Sequence, residues 1–116
     1  MTSNPTLKHY PLSSPQRDIW FDQILHPDVP LYNIGGYVRI EGPIDSARFE
    51  KALNQVIEEN DALRIILHEG DSLPTQTFAE NVRIKLDFHD FSDKENAHQS
   101  ALEWMEQEFA NPFQLY

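Results

Sequence analysis

Cysteine is absent from this chain of 116 residues, so disulfides, thiolate metal sites and cysteine nucleophiles are all excluded. Basic residues are scarce, because nine lysines and arginines stand against nineteen aspartates and glutamates, for a formal net charge of -10. They are scattered along the chain and form no stripe that could hold a phosphate backbone. An apolar run of the ~20 residues that span a bilayer is missing, as is a signal-peptide pattern. We therefore expect a cytoplasmic protein that binds neither nucleic acid nor a membrane.

The composition is that of a folded protein. Hydrophobic residues make up 40% of the chain, aromatic residues 11% and charged residues 24%. A chain of this length buries roughly 60 to 70% of its unfolded surface when it folds. No internal repeat or low-complexity tract divides the sequence, so we expect one folded domain.

Capping signals and apolar periodicity predict three helices. They span residues 13–26, 45–60 and 92–111. The first has Pro15 in its first turn, the second has Asp45 as N-cap, and the third opens with the capping-box pair Ser92 and Glu95. The second helix has the clearest apolar stripe, which predicts a face buried in the core. The members of this stripe are Phe49, Ala52, Leu53, Val56 and Ile57.

Alternating apolar and polar residues predict strands. They span residues 34–41, 63–68, 75–78 and 82–89, and the middle two form a predicted hairpin. One face of the last strand is polar, which is typical of an antiparallel sheet with a solvated side. Residues 1–12 have no periodicity and are interpreted as an N-terminal extension. The predicted fold class is α/β of the α+β type, with helices on a largely antiparallel sheet.

No group of side chains predicts catalysis or metal binding. The five histidines are scattered, without the His-x-His or His-Glu-x-x-His spacing that holds a metal ion. Ser13 and Ser14 precede a proline at a helix start, where an N-cap role explains them. Gly35 and Gly36 are too few for a phosphate-binding loop. We therefore predict no catalytic residue and no metal ligand in this chain.

One segment near the N-terminus has a characteristic spacing of residue types. Residues 11–21 contain Ser13, Gln16 and Trp20 at positions of the pattern Ser-x-Ala-Gln-x-Arg-Leu-Trp. The segment resembles the first core motif of the condensation domains of nonribosomal peptide synthetases, which has that pattern. Three positions depart from it: Pro15, Asp18 and Ile19.

Four further segments resemble the same family in the same order. Tyr32 and Asn33 begin a Tyr-Asn-Ile sequence like that of the family's first strand, and residues 42–57 resemble its Gly-x-(Leu/Ile)-Asp helix start. Residues 59–67 resemble the second core motif, Arg-His-Glu-x-Leu-Arg-Thr-x-Phe. Identical or conservative positions there are Asp61, Leu63, Arg64 and Leu67. Residues 111–115 resemble the Pro-Phe-Asp-Leu before the third motif, so the resemblance extends over nearly the whole chain.

The resemblance implies a fold and a function. The fold is the chloramphenicol-acetyltransferase-like sandwich, in which residues 13–116 would be a partial condensation domain, the first half of the N-terminal lobe. The complete domain joins a donor acyl or peptidyl thioester to an acceptor amine in secondary-metabolite biosynthesis. Both substrates are carried on phosphopantetheine arms. The implied partners are therefore carrier proteins and the rest of the synthetase, and no cofactor binds the domain directly.

The family's chemistry belongs to a third motif, His-His-x-x-x-Asp-Gly, which does not occur in this sequence. The chain alone is therefore expected to be inactive, as an N-terminal fragment of an acyltransferase that forms peptide bonds. Gln16, Trp20 and Arg64 are interpreted as structural residues, because none of the motifs present supplies a reacting group.

Three alternatives remain open from the sequence. An epimerising, cyclising or ester-forming relative would share the N-terminal pattern. A freestanding acyltransferase of the same fold would use coenzyme A thioesters, and a non-enzymatic interaction module would need no third motif. We further expect the parent gene to begin with this domain, since Met1 lies twelve residues before Ser13. The isolated chain is expected to self-associate as a two-fold dimer.

Overall fold

The computed structural model describes residues 7–116, and the first six residues of the predicted extension lie outside that range. In chain order the elements are β1 (Tyr10–Pro11), α1 (Ser14–Leu25), α2 (Ser46–Glu59), a 3₁₀ helix (Asp61–Arg64), β2 (Ile65–His68), β3 (Thr75–Phe78) and α3 (Ala97–Phe109). The predicted combination of helices with an antiparallel sheet is confirmed. Within the described range, no helix is long and apolar enough to cross a bilayer.

The strands form one antiparallel sheet in the order β1-β3-β2. β2 and β3 are the predicted hairpin, with Ile65 opposite Phe78. Gly70 lies in the turn between them, where a Cβ would collide with the Leu73 carbonyl oxygen. The turn therefore requires glycine at this position.

β1 pairs with the other side of β3, with Tyr10 opposite Gln76 and Pro11 opposite Thr75. The sequence analysis placed Tyr10 and Pro11 in the N-terminal extension, and the structure makes them part of the sheet. The buried Gln76 side chain strengthens the contact by donating to the Pro11 carbonyl oxygen at 3.1 Å. Proline is tolerated because β1 is an edge strand, whose outer side needs no N–H donor.

The chain divides into two compact units. Among described residues, one unit contains 7–13, 44–86 and Tyr116, and it includes the sheet, α2 and the 3₁₀ helix. The other contains 14–43 and 87–115, and it includes α1 and α3. α2 is thus the helix that shares a unit with the sheet.

The ends of α2 follow the predicted signals. Asp45 Oδ1 accepts a hydrogen bond from the Arg48 backbone N–H at 3.2 Å, as an N-cap does. At the other end, the Asn60 side chain donates to the Val56 carbonyl oxygen at 2.8 Å, which satisfies one of the acceptors that a helix end leaves unpaired. Local residues therefore set both ends of this helix.

The predicted start of the third helix at Ser92 is wrong. α3 begins after Asn96, whose side-chain oxygen accepts a hydrogen bond from the Gln99 N–H at 3.3 Å. Ser92 lies in a turn instead, where its N–H donates to Asp90 Oδ1 at 2.9 Å. The aspartate side chain gives this backbone a local partner that competes with helix formation.

Two predicted strands, residues 34–41 and 82–89, are not strands in the structure. In the described part of the chain, neither segment forms a backbone–backbone hydrogen bond. Alternation indicates which side chains share a face, but a strand also requires a neighbouring strand, which is a tertiary property. The predicted strand 63–68 is shorter than expected, because residues 63 and 64 belong to the 3₁₀ helix.

Few apolar side chains are buried in the described residues. Leu12 and Ile57 are the buried hydrophobic residues, at 8% and 7% exposure. In the apolar stripe of α2, Phe49 is 52% and Val56 is 46% exposed, so the predicted burial of these two residues is wrong. Helical periodicity identifies an apolar face, but tertiary packing decides whether another element covers it.

Candidate functional site

The residues of the first motif lie at the start of α1. Ser13 immediately precedes the helix, in the N-cap position that the sequence predicts. Gln16 and Trp20 are one helical turn apart and are both half-buried. The Trp20 ring centroid lies 6.4 Å from that of Phe21. The structure therefore places this motif on α1 and on the residue before it. This arrangement is typical of residues that pack against the rest of the fold.

Gln23 closes the end of α1, a role that the sequence analysis missed. Its side chain is buried, and Nε2 donates to the carbonyl oxygens of His26 at 3.1 Å and Val29 at 3.0 Å. The carboxamide thereby satisfies acceptors of the loop that follows the helix. A glutamine on an otherwise apolar helix face is the signal that could have indicated this burial.

Tyr32 is anchored by an acidic side chain of α1. Its hydroxyl donates a short hydrogen bond to Asp22 Oδ2. This bond, followed by desolvation and the charge of Asp22, raises the pKa of Tyr32 above its usual value of 10.0. Only the neutral phenol donates this hydrogen bond. Its stabilisation of the folded state is therefore present below the usual tyrosine pKa and is lost as pH rises through the raised pKa of Tyr32.

We expect the Tyr32 phenol to ionise above the usual tyrosine pKa of 10.0. In an ultraviolet titration, Tyr32→Phe should remove a late phase of tyrosinate absorbance, at pH values above that pKa. Tyr37→Phe is the matched control, because Tyr37 is exposed and has no acidic partner among the described residues. A late phase that persists in Tyr32→Phe would show that the bond to Asp22 does not hold this phenol neutral.

Asn33 joins the segment after α1 to the C-terminal end of α3. Its Nδ2 donates to the carbonyl oxygens of Phe109 at 2.8 Å and Asn111 at 2.6 Å, where the helix leaves acceptors unpaired. Its Oδ1 is buried and has no hydrogen-bond partner in residues 7–116. One acceptor of this side chain is therefore available to a further donor.

A groove of about 810 Å³ lies beside Asn33 and is lined by residues 33–37 and by α3. Its apolar lining includes Leu102, Met105 and Phe113. Gly35 lies against the Phe109 ring, since a Cβ at this position would be 3.0 Å from Phe109 Cε2. The glycine thus allows the segment to approach α3 closely.

Arg64, from the second motif, binds backbone oxygens at the end of α2. Its Nε donates to Ile57 at 3.0 Å, Nη1 to Ala79 at 2.6 Å and Nη2 to Glu58 at 3.5 Å. The planar guanidinium meets three acceptors with three different nitrogens held in a rigid fork, whereas the donors of a lysine all leave from one nitrogen. It caps α2 and joins it to the residue after β3.

Asp61 and Leu63, the other second-motif residues, are exposed on the 3₁₀ helix. A cavity of about 250 Å³ opens beside Arg64, and Glu80 and Arg83 also line it. The lining carries both signs of charge, and the guanidinium of Arg64 is already engaged by carbonyl oxygens. The structure therefore makes Arg64 a structural cap and not a ligand for an anion.

α2 also binds the backbone of residues 84–86, a contact that the sequence analysis missed. Asn54 is buried and pairs with both backbone groups of Ile84: Oδ1 accepts from the N–H at 2.8 Å, and Nδ2 donates to the carbonyl at 3.0 Å. One turn earlier, Glu50 accepts from the Leu86 N–H at 2.6 Å. Side chains of α2 thus take the place of a neighbouring strand, and the i, i+4 spacing of polar residues was the available signal.

Two histidines meet across the sheet. The ring centroids of His9 and His68 are 4.7 Å apart. His9 Nδ1 lies 2.8 Å from Thr75 Oγ1, and His68 Nε2 lies 2.8 Å from Thr77 Oγ1. A catalytic histidine–hydroxyl pair also needs a group that orients the ring and donors for an oxyanion, and neither pair has a carboxylate partner in the described residues. These contacts are therefore cross-strand hydrogen bonds of the sheet.

The ring centroid of a third histidine, His89, lies 4.4 Å from that of Trp104, and His89 Nε2 lies 2.8 Å from Asp87 Oδ1. Both members of the pair are exposed. No three metal-ligating side chains meet within the described range. What residues 7–116 bring together is a set of polar side chains that fix backbone segments, and not a nucleophile with its base.

Comparisons with known proteins indicate the same family as the motifs. A family model described as "Condensation domain" matches residues 6–116. The chain is 37% identical over 106 residues to a dimodular nonribosomal peptide synthase of Bacillus subtilis, covering 91% of this chain and 4% of that protein. It is 38% identical over 106 residues to isonitrile lipopeptide synthase of Streptomyces coeruleorubidus, covering 90% and 7%. The chain thus spans a small share of these relatives.

Solved structures give the same result. A variant of the starter condensation domain of rhizomide synthetase, in complex with C8-CoA, is 36% identical with a TM-score of 0.86, covering 93% of this chain and 25% of that chain. The first condensation domain of the calcium-dependent antibiotic synthetase is 24% identical with a TM-score of 0.78, covering 93% and 27%, which is evidence of fold alone. Condensation domains have the chloramphenicol-acetyltransferase-like fold, so the fold implied by the motifs is confirmed.

Proposed function

This chain belongs to the condensation-domain family of nonribosomal peptide synthetases, and from that premise we propose that it contributes the first part of the N-terminal lobe to an amide-forming domain. The observation that carries the proposal is the similarity to the rhizomide synthetase starter domain over 93% of this chain. Since the chain spans 25% of that structure, the reaction is proposed for the whole domain and a supporting role for this chain.

In the proposed reaction, an acceptor amine attacks the carbonyl carbon of a donor thioester. A C–N bond forms, the C–S bond breaks, and a base passes the proton of the amine to the departing thiolate. This chemistry needs aligned reactants, the base, and donors for the tetrahedral oxyanion. Asn33, Asn54 and Arg64 direct their hydrogen bonds to the chain's own backbone. Their proposed role is therefore to hold the scaffold in place.

The proposed substrates are thioesters on the phosphopantetheine arms of carrier proteins, as in multidomain synthetases. The domain needs no directly bound cofactor for this reaction. A net charge of -10 slows the approach of acidic carriers to this part of the domain, so they would dock mainly elsewhere on the synthetase. A cytoplasmic setting agrees with the lack of cysteine.

The donor we favour is an acyl thioester that is not yet part of a peptide. Two relatives support this choice: the starter domain whose structure contains C8-CoA, and the isonitrile lipopeptide synthase. A donor of this class would bring an apolar chain into the domain.

A chimaera tests the proposal. Residues 10–115 replace the matching segment of the catalytically intact rhizomide synthetase starter domain, and amide formation is measured with C8-CoA and Leu-SNAC, which occur together in one structure of a variant of that domain. We expect a rate within about tenfold of the host, a difference of about 1.4 kcal/mol in the barrier. The chain alone should give no amide. Thermal unfolding identifies correctly folded chimaeras, and a folded chimaera without activity would contradict the proposal.

A further inference from the structure

The two histidines that meet across the sheet come from its two outer strands. His9 directly precedes β1, and His68 is the last residue of β2. β3 lies between these strands, and its alternate residues Thr75 and Thr77 share one face of the sheet. Each threonine hydroxyl lies 2.8 Å from one imidazole, and the two ring centroids are 4.7 Å apart. The rings therefore join β1 to β2 across the central strand.

β1 is a short strand with few anchors. It has two residues, Tyr10 and Pro11, and both pair with β3. The Gln76 side chain donates to the Pro11 carbonyl oxygen. The Tyr10 ring packs edge-on against Phe78, with ring centroids 5.6 Å apart. Short segments near a chain terminus open at a lower free energy than the rest of a fold. The contact of His9 is therefore a large share of what holds β1 on the sheet.

Protonation of the imidazoles preserves their threonine bonds but changes their contact with each other. A hydroxyl both donates and accepts, so it binds an imidazole nitrogen with or without a proton. Two neutral rings at this distance form a favourable aromatic contact. Two imidazolium rings carry like charges and repel each other at the same distance. A second proton on the pair therefore opposes the contact between the two outer strands.

Carboxylates in the described residues do not offset a second charge on this pair. The charged residues nearest to the rings in sequence are Lys8, Glu69 and Asp71, which lies in the turn after β2. β3 contributes no charged residue. On the 3₁₀ helix that contacts β3, Arg64 donates to carbonyl oxygens and Asp61 is exposed. Within residues 7–116, neither imidazole forms an ion pair with any of these groups.

We propose that His9 and His68 form a pH-sensitive clasp, which holds β1 on the sheet while at least one ring is neutral and releases it when both are charged. Histidine changes charge between about pH 5 and pH 8. The clasp is therefore closed at the upper end of this range, and β1 is released as pH falls through it. β1 leads directly to Ser13, so its release loosens the entry to the helix that contains the first motif.

Nuclear magnetic resonance of the chain tests the clasp, because the contact between the Tyr10 and Phe78 rings reports whether β1 is docked. Overhauser cross-peaks between these rings should be present at about pH 8 and should weaken at least threefold at about pH 5. His9→Gln should retain them at the lower pH, since glutamine can bind the Thr75 hydroxyl but carries no charge. His98→Gln is the matched control, because His98 is exposed on α3, and it should lose them as the unsubstituted chain does.

Urea denaturation provides a second measurement of the same contact. At about pH 5, His9→Gln and His68→Gln should each raise the midpoint of unfolding, because either substitution removes one of the two charges. The double substitution should raise it no further, since one neutral side chain already ends the repulsion. Additive effects of the two substitutions, or full cross-peaks in the unsubstituted chain at about pH 5, would overturn the proposal.

Discussion

Replacing Arg64 by methionine is expected to lower the free energy of unfolding by about 3 kcal/mol, measured by urea denaturation at fixed protein concentration. The guanidinium donates to carbonyl oxygens of Ile57, Glu58 and Ala79, and hydrogen bonds from charged donors contribute about 1.5 to 3 kcal/mol each without being additive. Methionine keeps much of the side chain's volume, so the loss measures the hydrogen bonds and not a cavity. Because a domain is stable by about 5 to 15 kcal/mol, this is a large share of the total.

Arg83 provides the matched control for this measurement. It lines the same cavity of about 250 Å³ and is exposed to solvent. Arg83→Met should change the free energy of unfolding by less than about 0.5 kcal/mol, as is usual for surface substitutions. Arg64→Lys should recover little, because the donors of an ammonium group all leave from one nitrogen and cannot reproduce the planar fork of the guanidinium. Equal losses in Arg64→Met and Arg83→Met would show that the carbonyl contacts do not stabilise the fold.

Replacing Asn54 by leucine is expected to cost about 2 to 4 kcal/mol. The substitution leaves the Ile84 N–H and carbonyl without their partner on α2, and each unsatisfied group costs about 1 to 3 kcal/mol. Leucine has a similar size and a good helix propensity, so the helix itself should remain intact. Hydrogen exchange at the Ile84 amide should become faster, and circular dichroism should retain the helical signal.

Two further variants separate this contact from general effects on α2. Gln55→Leu changes the neighbouring, exposed position and should have an effect within about 0.5 kcal/mol. Asn54→Asp keeps the acceptor for the Ile84 N–H but loses the donor to its carbonyl, so it should be intermediate. If Asn54→Leu unfolds at the same urea concentration as the unsubstituted chain, the side-chain pairing with residue 84 contributes nothing.

Local signals predicted much of the fold, and particular elements show why. Asp45 and Asn60 bound α2 as expected, because capping involves residues within one turn of each other. The hairpin of β2 and β3 was predicted because its strands are joined by one short turn. Ser92 was wrongly predicted as the start of α3, because Asp90, two residues earlier, accepts a hydrogen bond from its N–H. Residues 34–41 and 82–89 have the alternation of strands, but no strand pairs with them within residues 7–116.

The sequence predicted some of the residues of the candidate site, but it did not predict which groups their side chains contact. Asn33 and Arg64 belong to the motifs, and in the structure the side chain of each donates hydrogen bonds to backbone oxygens near the end of a helix. Asn54, Glu50 and Gln23 were missed, because a polar residue on a helix is usually solvated and nothing in its neighbours indicates a distant partner. Asn54 and Ile84 are 30 residues apart, and Asn33 and Phe109 are 76 apart.

The sequence by itself determined the charge of the chain, its helices, its hairpin and, through five ordered motifs, its family. Each of these depends on composition or on residues close together in the chain. Tertiary structure alone decided which backbone groups Arg64, Asn54 and Asn33 bind, and that the backbone of residues 35–41 has no partner in the described chain. The reason is physical: a buried polar group takes whichever partner the fold brings within about 3 Å, and periodicity contains no information about that partner.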